Sequence, residues 1–290
     1  MKPAPFTYHV PRSLPEALDL LAEHGDEAKI LAGGQSLMPM LNFRLAQIEH
    51  LVDINRLGAE HATPRIGADT ITIPALARQR EIERNQEIIA ALPLLGEALH
   101  QVAHPQIRNR GTICGSLAHA DPAAELPTVL SVVDATFTIA SARGVRTVDV
   151  AEFFQFYFTT ALEPDELLLQ VDIRIPPPGT VTVFREFATR RGDFALAAIA
   201  ASCRFDTDGT VLDTRIAAAG VAPTPLRLTA VEQLVTGTDL NADVLAAAAD
   251  ATSTSVDPTG DIHAGADYRR RLTATLLSRT LAAAREEHHG

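Results

Sequence analysis

Apolar positions near the N-terminus change period from one short stretch to the next. Phe6 to Val10 alternates as a strand does. Ser13 and Glu16 then form a capping box ahead of Leu14, Ala17, Leu18 and Leu21, which share one helix face, and Gly25 stops the run. Lys29 to Ala32 is too short for a helix and reads as a strand that enters Gly33-Gly34-Gln35-Ser36 directly. Leu37 to Ala46 has helical spacing and Leu51 to Ile54 reads as another strand, so the unit is β-α-β-loop-α-β.

The texture changes near residue 60. Arg65 to Ile73 has hairpin character around Gly67 to Asp69, and Leu76 to Glu83 and Glu87 to Val102 carry helical periodicity. The segment HPQIRNRGTICGSLAHADPAAELP follows with no clear period, and a stretch of that length inside a compact domain points to function. Phe137 to Ala140 and Val145 to Val150 flank a turn at Ser141 to Gly144, and Leu167 to Ile175 alternates as a strand. Pro176-Pro177-Pro178-Gly179 continues neither a helix nor a central strand and predicts a domain boundary. Val181 to Ala188, Ala195 to Phe205 and Val211 to Ala219 make three further strands, the last two joined through Asp208-Gly209. Beyond Pro225 the Ala-rich chain is expected to be helical to its end.

A chain of 290 residues that is 46% hydrophobic has material for two cores. Its net charge of -11 gives no electrostatic footprint for nucleic acid or anionic membrane. No apolar run approaches the roughly 20 residues of a membrane span, and MKPAPFTYHVPRSLPEA has no secretory h-region, so a cytoplasmic chain is expected. Cys114 and Cys203 are too few for an iron-sulfur cluster, and the ten histidines look scattered, with no HExxH and no compact ligand set. No bound metal is expected.

Two glycine-containing loops carry the candidate chemistry: LAGGQSLMP (Leu31 to Pro39) and RGTICGSLAHADPAAELP (Arg110 to Pro127). Glycine lets a ligand approach the main chain, and successive N–H groups ahead of a helix make a nest for phosphate. Neither loop has the Lys of a P-loop or the GxGxxG spacing of a dinucleotide fold. Two such loops in one domain fit a ligand with a pyrophosphate and a long body.

AGGQSLMPMLNFRLAQIEHLVDIN, IRNRGTICGSLAHADPAAELP and FATRRGDFALAAIAAS (Phe187 to Ser202) closely resemble the FAD-binding medium subunit of bacterial molybdenum hydroxylases, the aerobic carbon monoxide dehydrogenase and xanthine dehydrogenase family. The resemblance covers the whole chain. It implies an α+β fold: a two-subdomain FAD-binding domain of the vanillyl-alcohol-oxidase (PCMH) type over residues 1–175, divided at about 57, then a C-terminal domain over 180–290 with a three-stranded antiparallel sheet and helices. It implies that Ala32, Gly33, Gly34, Gln35, Ser36 and Leu37, with Thr112, Ile113, Cys114, Gly115 and Ser116, wrap the pyrophosphate and ribityl chain of a non-covalent FAD. By the same resemblance Glu125 holds a sugar or ribityl hydroxyl, although a charge at a helix start is the plainer reading, and Leu168 lies beside the flavin ring, although it is an ordinary strand residue. Arg191 and Asp193 lie in a stretch that is either near the flavin or a surface turn.

Two positions depart from the family pattern. Cys114 stands where relatives carry the first glycine of a pair, which puts a side chain close to the cofactor, read as a small buried residue tolerated in the loop in preference to a redox-active thiol, and Glu186 stands where some relatives carry a Lys near the flavin. The resemblance implies an oxidoreductase subunit that passes electrons from the [2Fe-2S] clusters of a small partner to an external acceptor. A large partner would carry the molybdenum-pterin, and the assembly would be a dimer of heterotrimers. A self-sufficient FAD oxidase using His104 or His119 as a base, and a scaffold that has lost flavin, are the alternatives.

Overall fold

A computed structural model describes residues 2–289, so Met1 and Gly290 of the expected domain ranges lie outside it. The first fifty-odd residues form β1 (Thr7–His9), α1 (Leu14–His24), β2 (Ala28–Leu31), α2 (Leu37–Asn42) and β3 (His50–Asp53). The three strands are parallel in the order β1-β3-β2, and α1 lays Ala17, Leu18 and Leu21 on Val52 of the central strand. The Ser13 hydroxyl accepts from the Glu16 N–H, as the capping box predicts. Helix α2 ends at Asn42, four residues short of the expected Ala46, and Arg44 just beyond it has φ +58°.

The next unit contains β4 (Arg65–Ile66), β5 (Thr70–Pro74), α3 (Gln79–Arg84), α4 (Gln86–Ala91) and α5 (Pro93–Gln101). The single helix expected over Glu87 to Val102 is broken because Pro93 has no N–H and starts a new helix instead. The segment without period contains three short helices, α6 (Pro105–Arg108), α7 (Ile113–His119) and α8 (Glu125–Leu130), none long enough to show a helical repeat. Then come β6 (Ala135–Ser141), β7 (Gly144–Asp149), α9 (Val150–Phe153), β8 (Phe154–Phe156), β9 (Thr159–Thr160) and β10 (Leu167–Arg174). Strands in the order β4-β5-β10-β6-β7 make an antiparallel sheet whose inner face, with Ile71, Ile73, Phe137, Val171 and Ile173, packs against the helices.

The last third comprises β11 (Thr180–Phe187), β12 (Ala197–Phe205), β13 (Val211–Ala219), β14 (Leu226–Arg227), α10 (Thr229–Val235), α11 (Ala242–Ser255) and α12 (Ala266–His289). The expected three-stranded sheet gains β14 as a two-residue fourth strand on β13, so the chain past Pro225 is not helical throughout. Strand β12 is buried on both faces. Ala198 and Ala200, with Ala217 and Ala219 of β13, join the core of the preceding helices. Ala197, Ile199, Ala201 and Cys203, with Ile216 and Ala218, pack against α10 to α12. Two-sided burial explains why FALAAIAAS reads as one apolar run rather than an alternation.

Polar ties cross the same seam. The Glu97 carboxylate accepts from the Phe184 N–H at 2.7 Å, the Arg227 guanidinium donates to Ser131 O at 3.1 Å, and the Gly220 N–H donates to Pro122 O at 2.9 Å. A gap there lined by Leu92, Leu95, Val129, Ile173 and Thr182 holds only about 10 Å³. No described helix is long and apolar enough to cross a membrane. Because α8 lies directly on β12, Ala200→Leu is expected to overpack the seam and cost about 1–3 kcal/mol, read as a lower urea midpoint. An unchanged midpoint would show that the seam is looser than it looks.

Candidate cofactor site

The two glycine loops touch. A Cβ on Gly33 would stand 2.5 Å from Arg110 O and 2.8 Å from Gly111 Cα, so the main chains meet where no side chain fits. Gly34 has φ +73°, a backbone state that a β-branched residue does not tolerate. The pair therefore divides its work: Gly33 allows the loops to meet and Gly34 turns the chain.

A strap of side chains fixes the meeting. Asn55 donates to Ala32 O at 2.8 Å, and its side-chain oxygen accepts from the Arg78 guanidinium, which also donates to Arg110 O. Asp53 in turn accepts from the Asn55 N–H at 2.9 Å and from the Tyr8 hydroxyl. Arg78 and Thr112 form an isolated antiparallel bridge, and the Gln79 N–H donates to Gly111 O at 2.9 Å. The sequence reading did not single out Asn55 or Arg78, although DIN closes one of the motifs it quoted. Their roles depend on partners 23 and 32 positions away, which no local pattern reveals.

The loops differ in what they offer a ligand. Among the described residues, the N–H groups of Gly33, Gly34, Gln35, Ser36 and Leu37 find no acceptor in the chain, whereas the Gln35 side chain is spent on Gly33 O at 3.0 Å. In the second loop the Ile113 N–H donates to Ala77 O, the Gly115 N–H to the Thr112 hydroxyl at 3.0 Å, and the Ser116 N–H to Thr112 O. Only the first loop is therefore an open nest, while the second is a capped helix start that forms a wall.

Charge follows the same division. Burial first, and the neighbouring Arg110 next, pull the Arg78 guanidinium below its ordinary pKa, so two cations share the loop junction with Asp53 as the nearby anion. An anionic group placed there would relieve both. Across the cleft, burial pushes the Glu125 carboxyl up to about 7, against the pull of its own N–H, and raises Asp121 as well. Burial, with the Glu125 charge second, pushes Glu186 up to about 8, and Glu186 Oε2 is buried without a hydrogen-bond partner.

Residues 4–178 match the family described as the FAD binding domain in molybdopterin dehydrogenase. The chain belongs to that family. Residues 182–284 match the CO dehydrogenase flavoprotein C-terminal domain. The flavoprotein is 43% identical over 284 residues to the 6-hydroxypseudooxynicotine dehydrogenase complex subunit alpha of Paenarthrobacter nicotinovorans, covering 98% of this chain and 96% of the relative. It is 37% identical to the carbon monoxide dehydrogenase medium chain of Hydrogenophaga pseudoflava, with 98% of each chain covered. The quinoline 2-oxidoreductase structure from Pseudomonas putida 86 superposes with a TM-score of 0.95 at 33% identity over 100% of both chains. FAD is thus the cofactor of this oxidoreductase component, and the open nest, the left-handed Gly34 and the cationic junction suit a dinucleotide diphosphate.

Several positions lie elsewhere than the sequence reading expected. The Cys114 side chain points into the core, 3% exposed with Sγ 3.5 Å from Ile73 O, and burial pushes its thiol up to about 12. It is packing rather than a neighbour of the cofactor, and the helical backbone of α7 needs no glycine there. Ile113 is likewise a core residue, and Leu168 sits 4% exposed between β6 and the helices, just before a bulge in β10. Glu125 is the first residue of α8 and is buried. The Cβ position of Gly192, between Arg191 and Asp193, lies 2.7 Å from the His104 ring, which places that turn on the second loop's entry. Burial lowers the pKa of His119, whose ring stands 5.2 Å from that of Phe158.

Gly34→Val is expected to empty the site while leaving the melting temperature of the flavin-free chain within a few degrees. The β-branched side chain strains the turn at φ +73° and presses on Leu31 Cδ1 at 2.9 Å, so the loop can no longer hold its N–H groups in line. Stoichiometric FAD in the purified variant, read from its visible spectrum, would refute the loop assignment. A second outcome concerns Glu186. Its folded pKa of about 8 exceeds the ordinary 4.5, so the folded chain binds more protons than the unfolded one between those values, and its penalty on folding grows as pH rises through that window. Glu186→Gln is therefore expected to stabilise the flavin-free protein more at pH 9 than at pH 5, and equal melting shifts at both pH values would contradict this.

Proposed function

We propose that this flavoprotein is the electron-relay subunit of a heteromeric molybdenum hydroxylase. It would take electrons from [2Fe-2S] clusters in a small partner and deliver them to an external acceptor, while a large molybdenum-pterin partner oxidises the substrate. The observation that carries the reading is the junction of the two loops, where unpartnered N–H groups and two guanidinium groups converge. Bound FAD supplies the step between paired and single electrons. The chain itself has two cysteines, which cannot ligate the clusters.

In this reading Ala32, Gly33, Gly34, Gln35, Ser36 and Leu37 seat the diphosphate, with Gln35 holding the turn through Gly33 O. The main chain of Thr112, Ile113, Cys114, Gly115 and Ser116 walls the groove while the Ile113 and Cys114 side chains face the core, and Glu125, whose carboxyl burial pushes up to about 7, pairs with a hydroxyl of the cofactor. Leu168 stiffens the strand behind the ring. Residues 1–175 then act as the flavin-binding domain, with subdomains meeting near 57, and residues 180–290 as the C-terminal domain. The first loop, Leu31 to Pro39, contains no histidine or cysteine and carries Gln35, whose amide is not a nucleophile, which supports a non-covalent flavin. The wider assembly would be a cytoplasmic dimer of heterotrimers. Relatives named for 6-hydroxypseudooxynicotine, carbon monoxide and quinoline share this architecture, so substrate choice belongs to the large partner.

The purified chain alone is expected to carry FAD that acid releases completely, to contain neither molybdenum nor iron, and to leave organic substrates unoxidised. Coexpression with both partners is expected to restore turnover. Steady oxidation of a small organic substrate by the metal-free chain would overturn the relay and favour a self-sufficient oxidase, and colour retained in the acid precipitate would overturn the non-covalent link.

A further inference from the structure

Three of the histidines that look scattered in the sequence meet at one place, at the far end of the parallel sheet from the flavin loops. The register pairs Thr7 with His50 and His9 with Val52, so His9, His50 and Val52 lie on one face of that sheet. Val52 packs on α1, and His24 follows Ala17 and Leu21 on the same helical stripe. The apolar seam between helix and sheet therefore ends in three imidazoles. His9 Nε2 lies 2.9 Å from His50 Nδ1, the His24 and His50 rings stack with centroids 3.6 Å apart, and the His9 ring is 5.2 and 5.3 Å from those of His50 and His24.

One nitrogen from each ring lies within 4.8 Å of the others, and the carboxylates of Glu27 and Glu49 come within the same reach of His50. A hydrogen bond from the Glu49 N–H to Glu27 O at 3.0 Å holds those two carboxylates on neighbouring strand entries. Three imidazoles with a carboxylate beside them are the donor set of a borderline divalent cation such as Zn²⁺, not of Ca²⁺ or Mg²⁺.

We propose that His9, His24 and His50, with Glu49 or Glu27 as the fourth ligand, form a divalent transition-metal site that staples α1 to the parallel sheet. The site is separate from the flavin loops: these leave the sheet after Leu31 and Asp53, and Asp53 is about 10 Å along β3 from His50.

The test uses the tag-free, flavin-loaded full chain, stripped with a chelator and titrated with Zn²⁺ against a chromogenic competitor. One equivalent is expected to bind and to raise the melting temperature, and Co²⁺ is expected to give the visible bands of a tetrahedral centre. His24→Ala and the gentler His24→Gln are expected to abolish both the endpoint and the melting shift while leaving the flavin spectrum unchanged. His288 and His289, whose rings lie 5.2 Å apart at the end of α12, are the competing ligands. The double variant H288A/H289A is expected to keep the endpoint. Absence of an equimolar endpoint in the parent chain, or an endpoint that survives His24→Gln and is lost in H288A/H289A, would overturn the proposal.

Discussion

The carbonyl of Arg110 lies where a side chain on Gly33 would have to be, and much of the flavin-binding half is arranged around that approach. One loop leaves a parallel sheet and the other precedes a helix packed on an antiparallel sheet, so their contact is the hinge pin between two otherwise unlike units. Main-chain contact of this kind leaves no room for adjustment by rotamer changes. The strap from Asn55 through Arg78 to Arg110 O then converts a steric fit into a directional one. Free N–H groups collect in the first loop, while the buried carboxyls of Glu125 and Glu186 lie close enough that the Glu125 charge raises Glu186, so the chain carries two polar groupings of opposite character.

That polarity has an energetic side. Buried carboxyls at Asp121, Glu125 and Glu186 are held protonated more readily than exposed ones, and a protonated carboxyl is a hydrogen-bond donor. The loop junction has the opposite character, because the Arg78 guanidinium is anchored there on Arg110 O and Asn55. A ligand with an anionic middle and a hydroxyl-bearing arm is matched at both ends.

Most of the strands and long helices were legible because each buries one face and writes a period into the chain. Helix α1 is the clearest case, with its capping box, apolar stripe and glycine stop all local. What escaped was whatever depends on distant partners. Helices α6 to α8 are too short to show a period, β14 exists only because β13 offers an edge, and Asn55 and Arg78 gain meaning only from the opposite loop. The motif resemblance located the loops, but it treated both as nests, and the hydrogen bonds of Thr112 show that the second spends most of its donors on its own cap. The buried placement of Cys114 agrees with its reading as a small packed residue, although a motif gives the order of side chains and not the direction in which each points.

Strand β12 presents alanines to both of its neighbours, and alanine has no rotamers with which to absorb displacement. Sliding it by one residue would exchange its two faces and bring the wrong set against α8. The joint between the two halves of the molecule thus has a single seating, more like a keyed shaft than a hinge. The C-terminal sheet is consequently held at one fixed distance from the flavin-binding half, set when the chain folds.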